Sequence, residues 1–126
     1  MNVVVQVGLV LLAVGALSGW AVMLKVAFPG VLRRAGVTSP RRLLQAHIDF
    51  IVMGVILIAV GTALPDLATW NRVLLIAGTI VNPALFLPLA WKESIADTSG
   101  YRVITVLSFS AMSVATVGAA VAGLQA

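Results

Sequence analysis

Cysteine is absent from this 126-residue chain, and charge is scarce: Asp, Glu, Lys and Arg together make up 10% of it. Without cysteine there is no disulfide, no thiolate nucleophile, no iron–sulfur cluster and no haem attached through a CxxCH pair. One histidine and four acidic residues leave no room for a zinc site built only from protein ligands. Phosphate-binding loops of the GxxxxGK or GxGxxG type are missing, as is a GxSxG nucleophile. The net charge of +4 is not a nucleic-acid signal, because the basic residues sit at the ends of apolar runs, where membrane topology explains them.

What is there is apolar. Hydrophobic residues make up 61% of the chain and the mean hydropathy is +1.12. A soluble domain has roughly 45–50% apolar and about 25% charged residues. A span needs about 20 apolar residues, and four runs supply them, at about residues 3–28, 43–64, 72–91 and 102–124. The expected architecture is therefore all-α: one integral membrane four-helix bundle over residues 1–126, with lipid as its surroundings. There is no low-complexity tract and no convincing internal repeat.

The first run lacks a basic leader and is too long for a signal-peptide core, so it reads as an uncleaved helix. Gly8, Leu12, Gly15 and Gly19 share one stripe of it, a spacing that lets a neighbouring helix approach closely. Pro29-Gly30 ends this run. Ser39 is a candidate cap for the second run, and Pro40 precedes it or starts its first turn. Pro65 stops the second run, and residues 66–71 form a short turn with Trp70 as an interfacial anchor. The third run contains Asn82-Pro83 and Pro88. Proline removes a backbone donor and leaves a carbonyl needing another partner, a role Asn82 is placed to fill. Trp91 and Tyr101 bracket the last loop as membrane-belt residues. In the fourth run Ala111, Ala115, Ala119 and Ala122 form a second small-residue edge. Lys25, Arg33, Arg34, Arg41, Arg42, Lys92 and Arg102 fall on one side and only Arg72 on the other. The positive-inside rule then makes loops 29–42 and 92–101 cytoplasmic and both termini external, with a bacterial inner membrane as the simplest setting.

Residues 41–54, RRLLQAHIDFIVMG, hold the sole histidine, His47, and Asp49 two positions on. Ionisable groups at membrane depth are costly and are functional candidates by default. On a helix His47, Gly54 and Gly61 stack on one face, flanked by Phe50 and Ile51. Such a face, an imidazole above two gaps, suits a flat macrocycle or another helix. Asp49 lies about 200° round the helix and cannot orient His47; it shares a face with Arg42, Gln45 and Met53. Three readings of His47 stay open: a buried neutral histidine bonded to another helix, a metal or haem ligand, and a proton relay. For Asp49 the simplest reading is a structural pair with Arg42 or Gln45.

The segment Ala46-His47-Ile48-Asp49, with Gly54 seven residues after the histidine, resembles the AH…NG motif of styrene oxide isomerase. Its resemblance to hydroxylaminobenzene mutase is greater, since there too an acidic residue follows the histidine by two. The first helix, with Gly15, Leu17 and Gly19, is similar to that group's opening helix, and Asn82 matches an asparagine of its third span. The resemblance covers most of the chain on short motifs. It implies a small membrane homo-oligomer, a trimer by preference, and b-type haem held through His47, with Gly54 beside it. In styrene oxide isomerase ferric haem acts as a Lewis acid on an epoxide, so a small apolar substrate is implied as well. The chain departs from the pattern at three places: Met53 stands where the family has an asparagine, Phe86 where it has a tyrosine, and Gly78 where it has an acid. Met53 is a possible soft ligand in itself, although about 240° round the helix from His47. Two functions follow: a haem-bearing isomerase or mutase, or a non-enzymatic membrane subunit, haem-carrying or not, that packs against a larger complex. A transporter fits less well, with little polar lining and no repeat.

Overall fold

The computed structural model describes residues 2–126. The chain is helical, with no strand among the described residues. Helix α1 is Val3–Ala27, α2 Pro29–Arg34 and α3 Arg41–Ala63. Then come α4, Thr69–Ala84, α5, Phe86–Trp91, a 3₁₀ turn at Glu93–Asp97 and α6, Ser99–Gln125. Four segments are long and apolar enough to cross a bilayer: α1, α3, Thr69–Trp91 and α6, with mean hydropathies between 1.8 and 2.2. This is a multi-pass, all-α membrane architecture.

Local chemistry explains most boundaries, and some differ from expectation. Asn2 caps α1: its Oδ1 accepts from the Val5 N–H at 3.0 Å, and its Nδ2 donates to the Gly61 carbonyl at 2.9 Å, tying the start of α1 to the end of α3. Residues 29–34, expected as loop, coil into α2, with Pro29 at its first position, where a missing N–H costs nothing. That helix stops at Gly36, whose φ of +86° only glycine adopts readily. Ser39 does not cap α3. Pro40 takes that position without a side-chain bond, while the Thr38 and Ser39 N–H groups both donate to the Ala90 carbonyl. The third crossing starts at Thr69, so Trp70 belongs to its first turn. It breaks at Leu85, between the prolines at 83 and 88, because neither ring can donate to the helix ladder.

The closest packing is between α1 and α3, and glycine makes it possible. A Cβ on Gly8 would meet the Gly54 carbonyl oxygen at 2.9 Å, and one on Gly54 would meet the Gly8 oxygen and the Leu12 nitrogen, each at 2.8 Å. The stripe read in the sequence is thus the seam of two helices packed backbone to backbone. Next α3 packs on α4 and α5, and α4 on α6. The crossings therefore run chiefly in a row, with a cleft between α3 and α6. Val4, Leu11, Ala46, Phe50, Leu57, Leu75, Met112 and Ala115 form the core. The outer faces carry exposed Leu17, Trp20, Val73, Val106 and Phe109, as a lipid-facing surface does.

One end of the bundle is polar and cross-linked. Arg42 Nε lies 3.0 Å from Glu93 Oε1 and Arg41 Nη2 3.4 Å from it. The Trp91 indole donates to the Ala35 carbonyl at 3.1 Å, and Arg102 lies 3.8 Å from Asp97. The hydrogen bond from Arg42, helped by Arg41, holds the exposed Glu93 carboxyl below the ordinary carboxylate range.

Candidate functional site

His47 sits on the α1 side of α3. Its Nδ1 is 2.6 Å from the Gly15 carbonyl oxygen and 3.1 Å from Ser18 Oγ. The Ser18 hydroxyl donates to the same Gly15 carbonyl at 2.6 Å. With that carbonyl as its neighbour, Nδ1 carries the proton and donates, which leaves the lone pair on Nε2. No hydrogen bond from a described residue reaches Nε2, and the ring is half-buried. The ring packs into the room that a side chain at Gly19 would need: a Cβ there would stand 3.1 Å from the imidazole Cε1. Ala16, Gly19, Trp20 and Met23 form a shallow depression on the outer surface of α1 nearby.

With this arrangement His47 would be the residue to hold a haem iron, through Nε2. A metal-bound histidine ordinarily gives its second N–H to a carbonyl or carboxylate, fixing the tautomer and the ring plane. No group of three or more His, Cys, Asp or Glu side chains comes together among the described residues, and with His47 the sole histidine each chain could offer a haem one imidazole. The two gaps below His47 offer no floor for a macrocycle within one chain. Gly54 lies against Gly8 and Leu12, and a Cβ on Gly61 would stand 2.8 Å from Val5 Cγ2. Of the two occupants that face suits, the structure seats the helix, and Gly54 is corrected from a cofactor position to a packing position.

On the opposite side of α3, four other candidates meet. Asp49, Met53, Asn82 and Phe86 line one cavity of about 270 Å³ between α3, α4, the α4–α5 break and α6. Leu85, Tyr101, Thr105 and Phe109 complete it. Asp49 has no ion pair or hydrogen bond among the described residues, against the expected pairing. The reason is Glu93: it takes Arg42 Nε at 3.0 Å, while Arg42 Nη1 donates to Gln45 at 2.9 Å. Asn82 is likewise corrected. Its Oδ1 accepts from the buried Ser108 hydroxyl of α6 rather than mending the backbone opened by Pro83. Tyr101, expected in the membrane belt, turns inward, and its hydroxyl donates to the Leu85 carbonyl at 2.7 Å, where the third crossing breaks. Gly78 lies elsewhere, against Met112.

Sequence reading missed Ser18, Tyr101, Thr105, Ser108 and Phe109. Ser18 sits one residue before Gly19 on the glycine seam, a usable signal. The α6 residues gave none, because which face of a uniformly apolar helix turns inward is set by its neighbour. Comparison with family models, with curated proteins and with solved structures gives no match to this chain.

Proposed function

We propose that this chain is a membrane protein that holds b-type haem through His47 Nε2, and that it isomerises a small apolar substrate such as an epoxide. The observation that carries the reading is the imidazole itself: Nδ1 is tied to the Gly15 carbonyl at 2.6 Å, and Nε2 has no hydrogen-bond partner among the described residues. The resemblance of the 46–54 segment to styrene oxide isomerase and hydroxylaminobenzene mutase supplies the reaction class. Ferric haem bound there would supply a Lewis-acidic metal to an oxygen atom of the substrate. The chain's own part is to hold, aim and seal. Gly15 and Ser18 fix the tautomer and ring plane of His47, and Trp20 and Met23 give an apolar surface beside it.

A homo-oligomer is part of this reading. Met53 and Phe86 line the cavity on the far side of α3, so neither faces His47. A second copy seated on the exposed α1 face would enclose the haem, and a three-fold ring is the arrangement favoured. The basic end, with Arg33, Arg34, Arg41, Arg42 and Lys92, is read as cytoplasmic in a bacterial inner membrane, with both termini outside.

The test is a visible spectrum of the protein purified in mild detergent and supplied with haemin. A Soret band is expected, lost in His47→Ala and regained when imidazole is added to that variant. Failure of the folded protein to take up haem would end the proposal. Aldehyde production from styrene oxide by the coloured protein separates the isomerase from the second reading, a non-enzymatic membrane subunit. That second reading is favoured by one observation, the apolar Met53, Phe86 and Gly78 at positions where the resembling enzymes carry polar groups.

A further inference from the structure

Asp49 is a carboxylate inside a membrane-spanning helix, and nothing among the described residues pairs with it. Unpaired charge at that depth marks function by default. The basic side chains nearest along its face are already engaged: Arg42 by Glu93 and Gln45, and Arg41 by Glu93. On α6, Arg102 lies near Asp97 and is largely exposed. A counter-charge for the ionised carboxylate would then come from outside the chain. The cavity in front of Asp49 has a volume of about 270 Å³, equal to about nine water molecules at ~30 Å³ each. Its walls are aromatic and soft: Phe86, Phe109 and Tyr101 with Met53. Ring faces attract cations. The Asn82 Oδ1 is occupied by Ser108, and the Tyr101 and Thr105 hydroxyls donate to backbone carbonyls.

From this juxtaposition we infer that the α3–α6 cavity binds a small organic cation, an aromatic or alkyl ammonium, with its charge on Asp49 and its apolar body against Phe86 and Phe109. A bare metal cation is the poorer occupant. Hard cations take six or more oxygen ligands, and this wall offers one unpaired carboxylate among apolar groups. Phe109 is 60% exposed and forms the rim, so the ligand enters sideways, between α3 and α6, from the lipid side. The site lies on the face of α3 opposite His47 and does not depend on haem being bound there.

Calorimetric titration of the full chain in a non-ionic detergent tests this, using benzyltrimethylammonium and its uncharged shape-mate neopentylbenzene. Saturable binding of one ammonium per chain is expected. It should weaken at least tenfold in Asp49→Asn, survive in part in Asp49→Glu and weaken in Phe109→Ala. Neopentylbenzene should bind wild type and Asp49→Asn alike. Circular dichroism checks that each variant is folded, and Phe109→Ala decides the matter if both Asp49 variants unfold. The inference is overturned by any of three results. One is no saturable ammonium binding by the folded wild type. Another is ammonium binding that a folded Asp49→Asn chain retains at full strength or, where both Asp49 variants unfold, that Phe109→Ala does not weaken. The third is displacement of the ammonium by equimolar sodium ion, which would mark an inorganic-ion site.

Discussion

Replacing Gly54 by alanine puts one methyl group where α1 and α3 touch. The new Cβ would lie 2.8 Å from the Gly8 oxygen and the Leu12 nitrogen, and 3.1 Å from the Leu12 Cα. All three are backbone atoms, so no side chain can swing away. Ordinary contact begins at 3.4 Å, and the two helices must part by about 0.6 Å. Overpacking of this kind costs about 1–3 kcal/mol, while the glycine-to-alanine change alone favours a helix by up to about 1 kcal/mol. The net effect is a loss of up to about 2 kcal/mol. Gly100→Ala is the control: its Cβ would meet nothing within 4 Å, so only the propensity gain remains. Gly54→Val should fall below Gly54→Ala. If the opening reaches Gly15, the His47–Gly15 bond lengthens from 2.6 Å to about 3.2 Å, the outer limit for such a bond. The assay is reversible unfolding in mixed micelles with increasing SDS, read by circular dichroism. Gly54→Ala as stable as Gly100→Ala would refute the backbone-to-backbone seam. A Gly54→Ala chain of unchanged stability that fails to take up haem would restore Gly54 as a cofactor position.

Two further outcomes follow from the polar contacts. Ser108→Ala removes the only donor among the described residues to the buried Asn82 Oδ1 and should cost about 1–3 kcal/mol, whereas Ser108→Ala combined with Asn82→Leu should recover part of that loss, since no acceptor is then stranded. The same unfolding assay measures both, and a double variant less stable than Ser108→Ala would count against the pairing. Glu93 sets an acid limb: Arg42 depresses its pKa in the folded chain, so the stabilisation is present above the ordinary value of 4.5 and is lost as pH falls through the depressed one. Wild type should exceed Glu93→Gln slightly at pH 7, and more so at low than at high salt. The gap should close in strongly acid solution, and a gap that widens there would reverse the assignment.

Much of the architecture was legible because the bilayer restricts what a chain can do. Apolar runs long enough to cross must close their own backbone hydrogen bonds, so four runs meant four helices. The Gly8–Gly15–Gly19 stripe could be read as a close-packing seam because only missing side chains allow such an approach. That the seam's partner is the Gly54–Gly61 face could not. A face with two gaps looks the same whether a helix or a cofactor fills it. The pairing of Arg42 went wrong for a related reason. Helical spacing names neighbours along one helix, while Glu93, brought over by the α5 turn, is a better partner than any of them.

Composition, run length and charge bias by themselves determined that this is an α-helical membrane chain with one basic end, and placed its sole imidazole inside a span. Only the tertiary structure decided what His47 and Asp49 face. One lies against the Gly15 carbonyl with a nitrogen to spare, and the other lines an aromatic cavity without an ion pair among the described residues. The physical reason is that helix rotation in a uniformly apolar segment is set by how neighbouring helices pack, which is information held between segments and not within any one of them.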